Sequence, residues 1–253
     1  MLQKDKDMLG TLNKTIDLLE TFNSNDLFQS IEKMSETTGY PKTTVFRIVQ
    51  TLVARGWMVQ DKKTKKYGMS FGLLRYGKLV TTGNNLITIC DPIMKKIRDA
   101  LNETVVLSVH GGSDYSICIH VLNNNQFIRF AHEIGAKIPL FAGTVGRCIL
   151  AFGPESFLYD YIERVELKRL AKNTILDKKQ LLQEVKTTRE KGYGISLSEV
   201  NDNTMSICVP LFDKSGNFLA CMNVASLEEK DSPQYRSTVL RLLNEAAEEI
   251  RAL

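Results

Sequence analysis

A short segment near the N-terminus carries side chains whose types and spacing suit contact with DNA. Lys42, Thr43, Thr44 and Arg47 follow one another closely. An arginine guanidinium can donate two hydrogen bonds to guanine, and a threonine can contact a phosphate or the methyl group of thymine. At the start of a helix, these residues would enter the major groove. The alternative is an ordinary helix whose polar face is solvated.

A run of lysines follows this segment. Lys62, Lys63, Lys65 and Lys66 lie between two short apolar stretches. Residues 41–80 hold nine lysines and arginines against one acid, Asp61, which gives +8 and leaves −4 for the rest of a chain whose formal charge is +4. A basic segment attached to a mildly acidic remainder is typical of a phosphate-binding module.

The cysteines and histidines are weak candidates for chemistry. Five cysteines, an odd number without a C-x-x-C pair, favour free thiols in a reducing cytoplasm. Cys118 and His120 are two apart on a predicted strand and would point to one face, but a second pair of ligands is missing, so we predict no metal site. His110 and His132 are expected to be ordinary strand or loop residues. We find no nucleophile–base–orienter set and no P-loop, so neither catalysis nor a cofactor is predicted.

The elements that must position the polar segment form a helix-turn-helix. Val45, Ile48, Val49 and Leu52 recur at helical spacing and form an apolar stripe opposite the polar side chains. Gly39 is predicted to end the preceding helix, and Pro41 to lie in the first turn of the next one. The lysine run then falls at the tip of a hairpin between residues 57–60 and 67–69. Together these features indicate a winged helix-turn-helix.

The rest of the chain predicts an α+β domain. We expect a first helix over Thr11 to Phe22, a linker helix over Phe71 to Val80, and a new helix that starts at Asp91-Pro92. The predicted strands are 104–109, 117–121, 126–130, 207–212 and 218–224, and the later helices are 144–151, 157–164, 178–191 and 238–251. The expected domains are a DNA-binding domain at 8–70, a linker at 71–84 and a third region at 85–253.

A loop of small residues precedes one of these helices and could bind a ligand. It runs from Ala142 to Arg147 and contains Gly143, Thr144, Val145 and Gly146. Small residues let backbone N–H groups approach a ligand, and a helix N-terminus favours an anion. The alternative is a turn without any ligand.

These motifs resemble those of the IclR family of transcriptional regulators. The resemblance is carried by Thr38 to Ile48, by Leu52 to Gly56 and by the wing from Asp61 to Tyr67. It continues through Lys137 to Leu140, Gly146-Arg147, Lys191 to Tyr193 and Val209 to Asp213. Phe46 departs from the histidine of many members, which would either alter base preference or turn the residue toward the core.

The resemblance implies a DNA-binding regulator, more often a repressor, with a GAF-like effector domain. By position, the implied DNA-binding residues are Lys42, Thr43, Thr44, Phe46, Arg47, Lys62, Lys63, Lys65 and Lys66, and the implied effector-binding residues are Gly143, Thr144, Val145, Gly146, Ser196, Ser206 and Asn223. The family's glyoxylate-responsive member has an acid at the position of Ser196 and a cysteine at that of Ser206, so a different effector is expected.

The implied partners are operator DNA, a carboxylic or sugar acid as effector, and further copies of the chain in a dimer or tetramer. Two alternatives stay open: a ligand-independent DNA-binding protein whose C-terminal domain serves only oligomerisation, and an enzyme with a vestigial DNA-binding arm. No apolar run is long enough to span a membrane, and the charged N-terminus lacks a signal core, so a cytoplasmic location is expected.

Overall fold

The computed structural model describes residues 9–83, 85–112, 114–124 and 133–252. Within it the chain divides into two compact units, Met1–Asn84 and Asn85–Leu253. The predicted strand at 126–130 and the histidine at position 132 lie outside the described residues. Among those that are described, no helix combines the length and apolar character needed to cross a membrane.

The N-terminal unit is a three-helix core with a small sheet. Its helices are α1 (Gly10–Leu19), α2 (Ile31–Thr38) and α3 (Lys42–Ala54), and its strands are β1 (Phe28–Gln29), β2 (Met58–Gln60) and β3 (Tyr67–Met69). The strands are antiparallel in the order β1-β3-β2. The predicted stripe of α3 is buried against Leu18, Met34 and Met58. The winged helix-turn-helix prediction is therefore confirmed.

A helical segment follows the wing. It starts as a 3-10 turn at Phe71–Leu73 and continues as α4 (Leu74–Thr82), in which no residue is buried.

The C-terminal unit is an antiparallel sheet covered by helices. In chain order it contains α5 (Leu86–Leu101), β4 (Thr104–His110), β5 (Tyr115–Leu122), β6 (Lys137–Pro139), α6 (Gly143–Phe152), α7 (Glu155–Arg164), α8 (Lys178–Lys191), β7 (Gly194–Leu197), β8 (Thr204–Phe212), β9 (Phe218–Leu227) and α9 (Pro233–Ala252). The strand order is β6-β5-β4-β9-β8-β7. This confirms the α+β class.

Alternation along the central strands gives the sheet two buried faces. Val105 and Leu107 of β4 join Met222 and Val224 of β9 in a core with α5 and α9. On the opposite face, Cys208 and Cys221 pack with α6, α7 and α8.

The prediction that a helix starts at Asp91-Pro92 was wrong. Helix α5 begins at Leu86 and passes through Pro92. A proline inside a helix removes one backbone donor, but the buried face formed by Cys90, Ile93, Met94 and Ile97 offsets that cost. Asp91 instead accepts from Lys95 Nζ at 2.7 Å and lies 2.9 Å from His120 Nε2.

The expectation that Cys118 and His120 share a face was also wrong. A β-bulge places Leu107 opposite His120 but Ser108 opposite Cys118, so one extra residue lies between the two pairs. The bulge reverses the alternation. Consequently His120 reaches Asp91 of α5, whereas Cys118 lines a cavity on the other side of the sheet.

Candidate DNA-binding surface and effector cavity

One face of α3 presents the predicted base-contacting residues. Lys42, Thr43 and Arg47 are exposed, and Thr44 is half-buried. They lie opposite the buried stripe, as the helical period requires. Phe46 is 49 % exposed, so it does not turn into the core.

Local hydrogen bonds position α3 relative to α2. The Ser30 hydroxyl caps α2 by accepting from the Lys33 N–H at 3.2 Å. Gly39 ends α2 in the left-handed conformation with φ +72°. The Ser35 hydroxyl then donates to the Tyr40 carbonyl at 2.6 Å, which fixes the turn that precedes Pro41. Pro41 is the residue before α3 rather than part of its first turn.

The wing tip is organised by Asp61. Its Oδ1 accepts from the Thr64 N–H at 2.6 Å, from the Thr64 hydroxyl at 2.7 Å and from the Lys63 N–H at 3.1 Å. The bonds from Thr64 lower the pKa of Asp61, because they stabilise its ionised form. This turn leaves the predicted wing lysines exposed: Lys62, Lys63, Lys65 and Lys66.

Gln50 is a candidate that the sequence reasoning missed. It is exposed one turn beyond Arg47 on the same face of α3. Its Nε2 lies 3.2 Å from the Tyr67 hydroxyl and so connects α3 to the wing. The sequence feature that could have identified Gln50 is its spacing of three residues from Arg47 and seven from Thr43, which places it on the same helical face.

A cavity of about 500 Å³ lies in the C-terminal unit. Five of the predicted effector residues line it: Gly143, Thr144, Val145, Ser206 and Asn223. They share the wall with apolar residues such as Val106, Ile138 and Met205. Gly146 and Ser196 are not among the lining residues. Gly146 instead packs closely against the Leu140 backbone, and Ser196 is paired with Ser206 in the sheet. A cavity of this size and character accommodates a small organic molecule.

Three polar side chains from three elements meet in this wall. Thr144 Oγ1 lies 3.0 Å from Ser206 Oγ, and Asn223 Nδ2 donates to Ser206 Oγ at 3.1 Å. We call these residues the polar trio. Asn223 is only 3 % exposed, and its Oδ1 has no partner in the described part of the chain. A buried acceptor without a donor is costly, so a ligand O–H or N–H group that reached this oxygen would relieve that cost.

The N-terminus of α6 supplies donors to the same cavity. The Gly143 N–H donates to Glu199 Oε2 at 3.2 Å, and Ala142 provides no side-chain cap. By helix geometry, the N–H groups of Thr144 and Val145 have no intrahelical acceptor. They therefore suit an anionic group of a ligand.

A buried ion pair connects α6 to a distant segment of the C-terminal unit. Arg147 is 1 % exposed and pairs with Glu199, and its Nη2 donates to the Ile195 carbonyl at 2.7 Å. The pair neutralises both charges, so the cation is not available to a ligand acid. No sequence pattern indicated this pairing, because the two residues are far apart along the chain.

Family models match both units of the chain. The IclR helix-turn-helix domain matches residues 11–62, and the bacterial transcriptional regulator IclR C-terminal domain matches residues 78–252.

Characterised relatives carry regulator names. The chain is 30 % identical to the HTH-type transcriptional regulator KipR of Bacillus subtilis, over 79 % of this chain and 80 % of that protein. It is 26 % identical to the HTH-type transcriptional regulator KdgR of Escherichia coli, over 99 % and 95 %. It is 22 % identical to the HTH-type transcriptional repressor AllR of the same species, over 85 % and 79 %.

Solved structures share the fold. An IclR transcriptional regulator from Alicyclobacillus acidocaldarius superposes with a TM-score of 0.84 at 20 % identity, over 97 % of this chain and 98 % of that one. An IclR homologue from Microbacterium hydrocarbonoxydans, complexed with 4-hydroxybenzoate, gives 0.79 at 19 % identity, over 96 % and 98 %.

Proposed function

Because this chain belongs to the IclR family of transcriptional regulators, we propose that it is a repressor whose operator binding is modulated by a small hydroxylated organic acid. The observation that carries the effector class is the cavity wall, which combines helix N–H groups that lack an intrahelical acceptor with the unpaired oxygen of Asn223. The first group suits a carboxylate, and the second suits a hydroxyl. The relative crystallised with 4-hydroxybenzoate bound a ligand with both groups.

On the DNA side, we assign base contacts to α3 and phosphate contacts to the wing. Thr43, Thr44 and Arg47, with Gln50 added, are the base-contacting candidates, Lys42 and Phe46 flank them, and the four wing lysines face the backbone. Two recognition helices must meet half-sites about one helical turn apart, so the operator is expected to be nearly palindromic and the protein at least a dimer.

Exposed apolar side chains of the N-terminal unit support self-association. Phe71 is 90 % exposed and Leu74 is 67 % exposed, and the helical segment that holds them has no buried residue. Such residues are costly to leave in water and commonly mark protein interfaces. We assign them to the contact between copies of this chain in a cytoplasmic dimer or tetramer. Sedimentation of the double variant Phe71→Ser and Leu74→Ser should show smaller species, and an unchanged mass would refute this interface.

A mobility-shift titration tests the regulator and its effector together. The probe is the DNA upstream of the protein's own gene, with excess nonspecific competitor and a panel of hydroxy, sugar, aromatic and unsubstituted acids. We expect a specific band that a hydroxylated acid weakens. If no upstream band forms, selection of bound genomic fragments supplies the probe, and failure there too would refute the DNA-binding proposal.

Substitutions in the cavity wall then test the effector site. Asn223→Ala should raise the effector concentration for half-release by about tenfold, which corresponds to the loss of about one hydrogen bond. Ser196→Ala serves as the control, because Ser196 is buried nearby but does not line the cavity. A band that no acid alters would instead support the ligand-independent alternative.

A further inference from the structure

Three thiols meet behind the effector cavity. Cys148 of α6, Cys208 of β8 and Cys221 of β9 are all fully buried and free. Their three Sγ atoms lie within 4.8 Å of one another. We call these residues the thiol trio. The proposed regulator function makes no use of them.

The thiol trio comes from the same three elements as the polar trio. Cys148 follows Thr144 by four residues on α6, which is the spacing of one helical face. Cys208 follows Ser206, and Cys221 precedes Asn223, each by the two-residue period of a strand face. The thiols therefore lie one step deeper along α6, β8 and β9 than the cavity residues do.

Three sulfur donors in a dry site restrict the ion that would fit. Thiolates select soft thiophilic ions. Structural zinc takes four ligands, and no fourth His, Cys, Asp or Glu joins this cluster among the described residues. A divalent ion on three thiolates would also leave a net negative charge in the core, which is costly. A trivalent ion on three thiolates leaves no net charge.

We propose that the thiol trio is a three-coordinate site for trivalent arsenic, taken up as arsenite. Arsenous acid and three thiols would give one arsenic tris-thiolate and three waters. Each S–H proton leaves with one hydroxide of the acid, three As–O bonds break and three As–S bonds form. Arsenic stays trivalent, so the step needs no oxidant or reductant. The product is neutral and suits the buried site.

Arsenic bound at this site would affect the effector cavity. The arsenic would join α6 covalently to β8 and β9 directly behind Thr144, Ser206 and Asn223. The relative positions of the polar trio depend on the same three elements. An effect of arsenite on operator release would therefore rest on the proposed function, whereas the binding itself would not.

The test uses the full-length, reduced protein with sodium arsenite as the probe. Native mass spectrometry should show one arsenic per chain with the loss of three protons. X-ray absorption at the arsenic edge should show three sulfur neighbours and no oxygen. Because the thiols are fully buried, uptake is expected to be slow and to depend on local opening of the unit.

Matched variants assign the site. Cys208→Ala and Cys221→Ala should each abolish the three-sulfur complex, and Cys90→Ala, which removes a buried thiol of the other core, should leave it intact. Should the alanine variants fail to fold, the X-ray absorption of the unaltered protein still decides whether three sulfur atoms bind the arsenic. A two-sulfur shell, no uptake, or preferential binding of zinc or cadmium would overturn the assignment.

Discussion

At the residue scale, exposure separates the side chains of α3 that can act from those that hold it in place. Val45 and Ile48 are buried and anchor the helix, whereas Thr43 and Arg47 project from the opposite face. This division follows from the 3.6-residue period and was predictable from the sequence. Which exposed residue matters most for DNA is a question of position along the helix, since the N-terminal part enters the groove.

Arg47 offers a direct test of that assignment. Arg47→Ala should weaken operator binding by about 1–3 kcal/mol and relax specificity, because alanine cannot donate the paired hydrogen bonds to a base. Arg55→Ala removes the same charge at the far end of α3 and should change affinity much less. Binding isotherms on operator and scrambled DNA measure both variants. An equally weakened affinity in the two variants would remove Arg47 from the set of base-contacting residues.

At the element scale, the wing shows how one carboxylate can organise a cationic loop. Asp61 satisfies three donors of the turn, and the lysines around it are left free to project. The lysine run and the hairpin were predictable from the sequence. The role of Asp61 as the acceptor at its centre was not, because an Asp before a turn has several partners within reach.

The wing lysines should govern the salt dependence of DNA binding. The double variant Lys65→Gln and Lys66→Gln should reduce the slope of log affinity against log salt by about 0.9 for each phosphate that is no longer neutralised. The variant Lys179→Gln and Lys186→Gln, on the exposed side of α8, removes the same charge and should leave the slope unaltered. An identical slope in the wing variant would show that the wing does not touch phosphate.

Helix α6 depends on a glycine for its approach to the preceding segment. A Cβ at Gly146 would lie 2.2 Å from the Leu140 carbonyl oxygen, so the backbone must shift to admit one. Gly146→Ala should destabilise the C-terminal unit on the order of 1–3 kcal/mol, despite the helix propensity of alanine. Circular dichroism during urea unfolding measures the effect.

A control variant and a second probe accompany the Gly146→Ala experiment. Gly77→Ala, in α4, meets nothing within 4 Å and should be neutral or stabilise by up to about 1 kcal/mol. The single tryptophan, Trp57, belongs to the N-terminal unit, so its fluorescence transition should be unchanged by Gly146→Ala. A C-terminal transition that is also unchanged would contradict the close contact at Gly146.

At the scale of the whole molecule, several carboxylates link the stability of the C-terminal unit to pH. Hydrogen bonds from Lys95 and then His120 lower the pKa of Asp91, and the Arg236 guanidinium lowers that of Asp231. Lys172 lowers the pKa of Glu228. A carboxyl whose folded pKa is depressed contributes stability above its unfolded pKa of about 4 and loses it as the pH falls through the folded value.

The C-terminal unit should therefore be less stable at pH 3 than at pH 5. Urea midpoints at the two pH values measure the loss. Asp231→Asn should lower the urea midpoint at pH 5. It should also reduce the difference between the midpoints at pH 5 and pH 3, since the titrating group is gone. A midpoint that rises on acidification would contradict the linkage.

The sequence by itself determined many of the elements and their local chemistry, but it did not indicate strands β1, β6 and β7. The stripe of α3, the wing lysines and the span of α8 follow from patterns within a few residues, where periodicity and turn preferences act, whereas the small residues expected in a loop before α6 form its first turn. The domain limits 8–70, 71–84 and 85–253 remain proposals. The roles of the individual site residues also remain proposals, because they depend on partners outside the chain.

Only the tertiary structure decided which distant residues meet. The pairing of Arg147 with Glu199, the unpaired oxygen of Asn223 and the thiol trio each join residues from separate elements. The bulge between Cys118 and His120, and the passage of α5 through Pro92, were decided in the same way. In the last two cases tertiary packing outweighs a local preference, and in the first three the contacts join residues that are too far apart along the chain for a local pattern to indicate them.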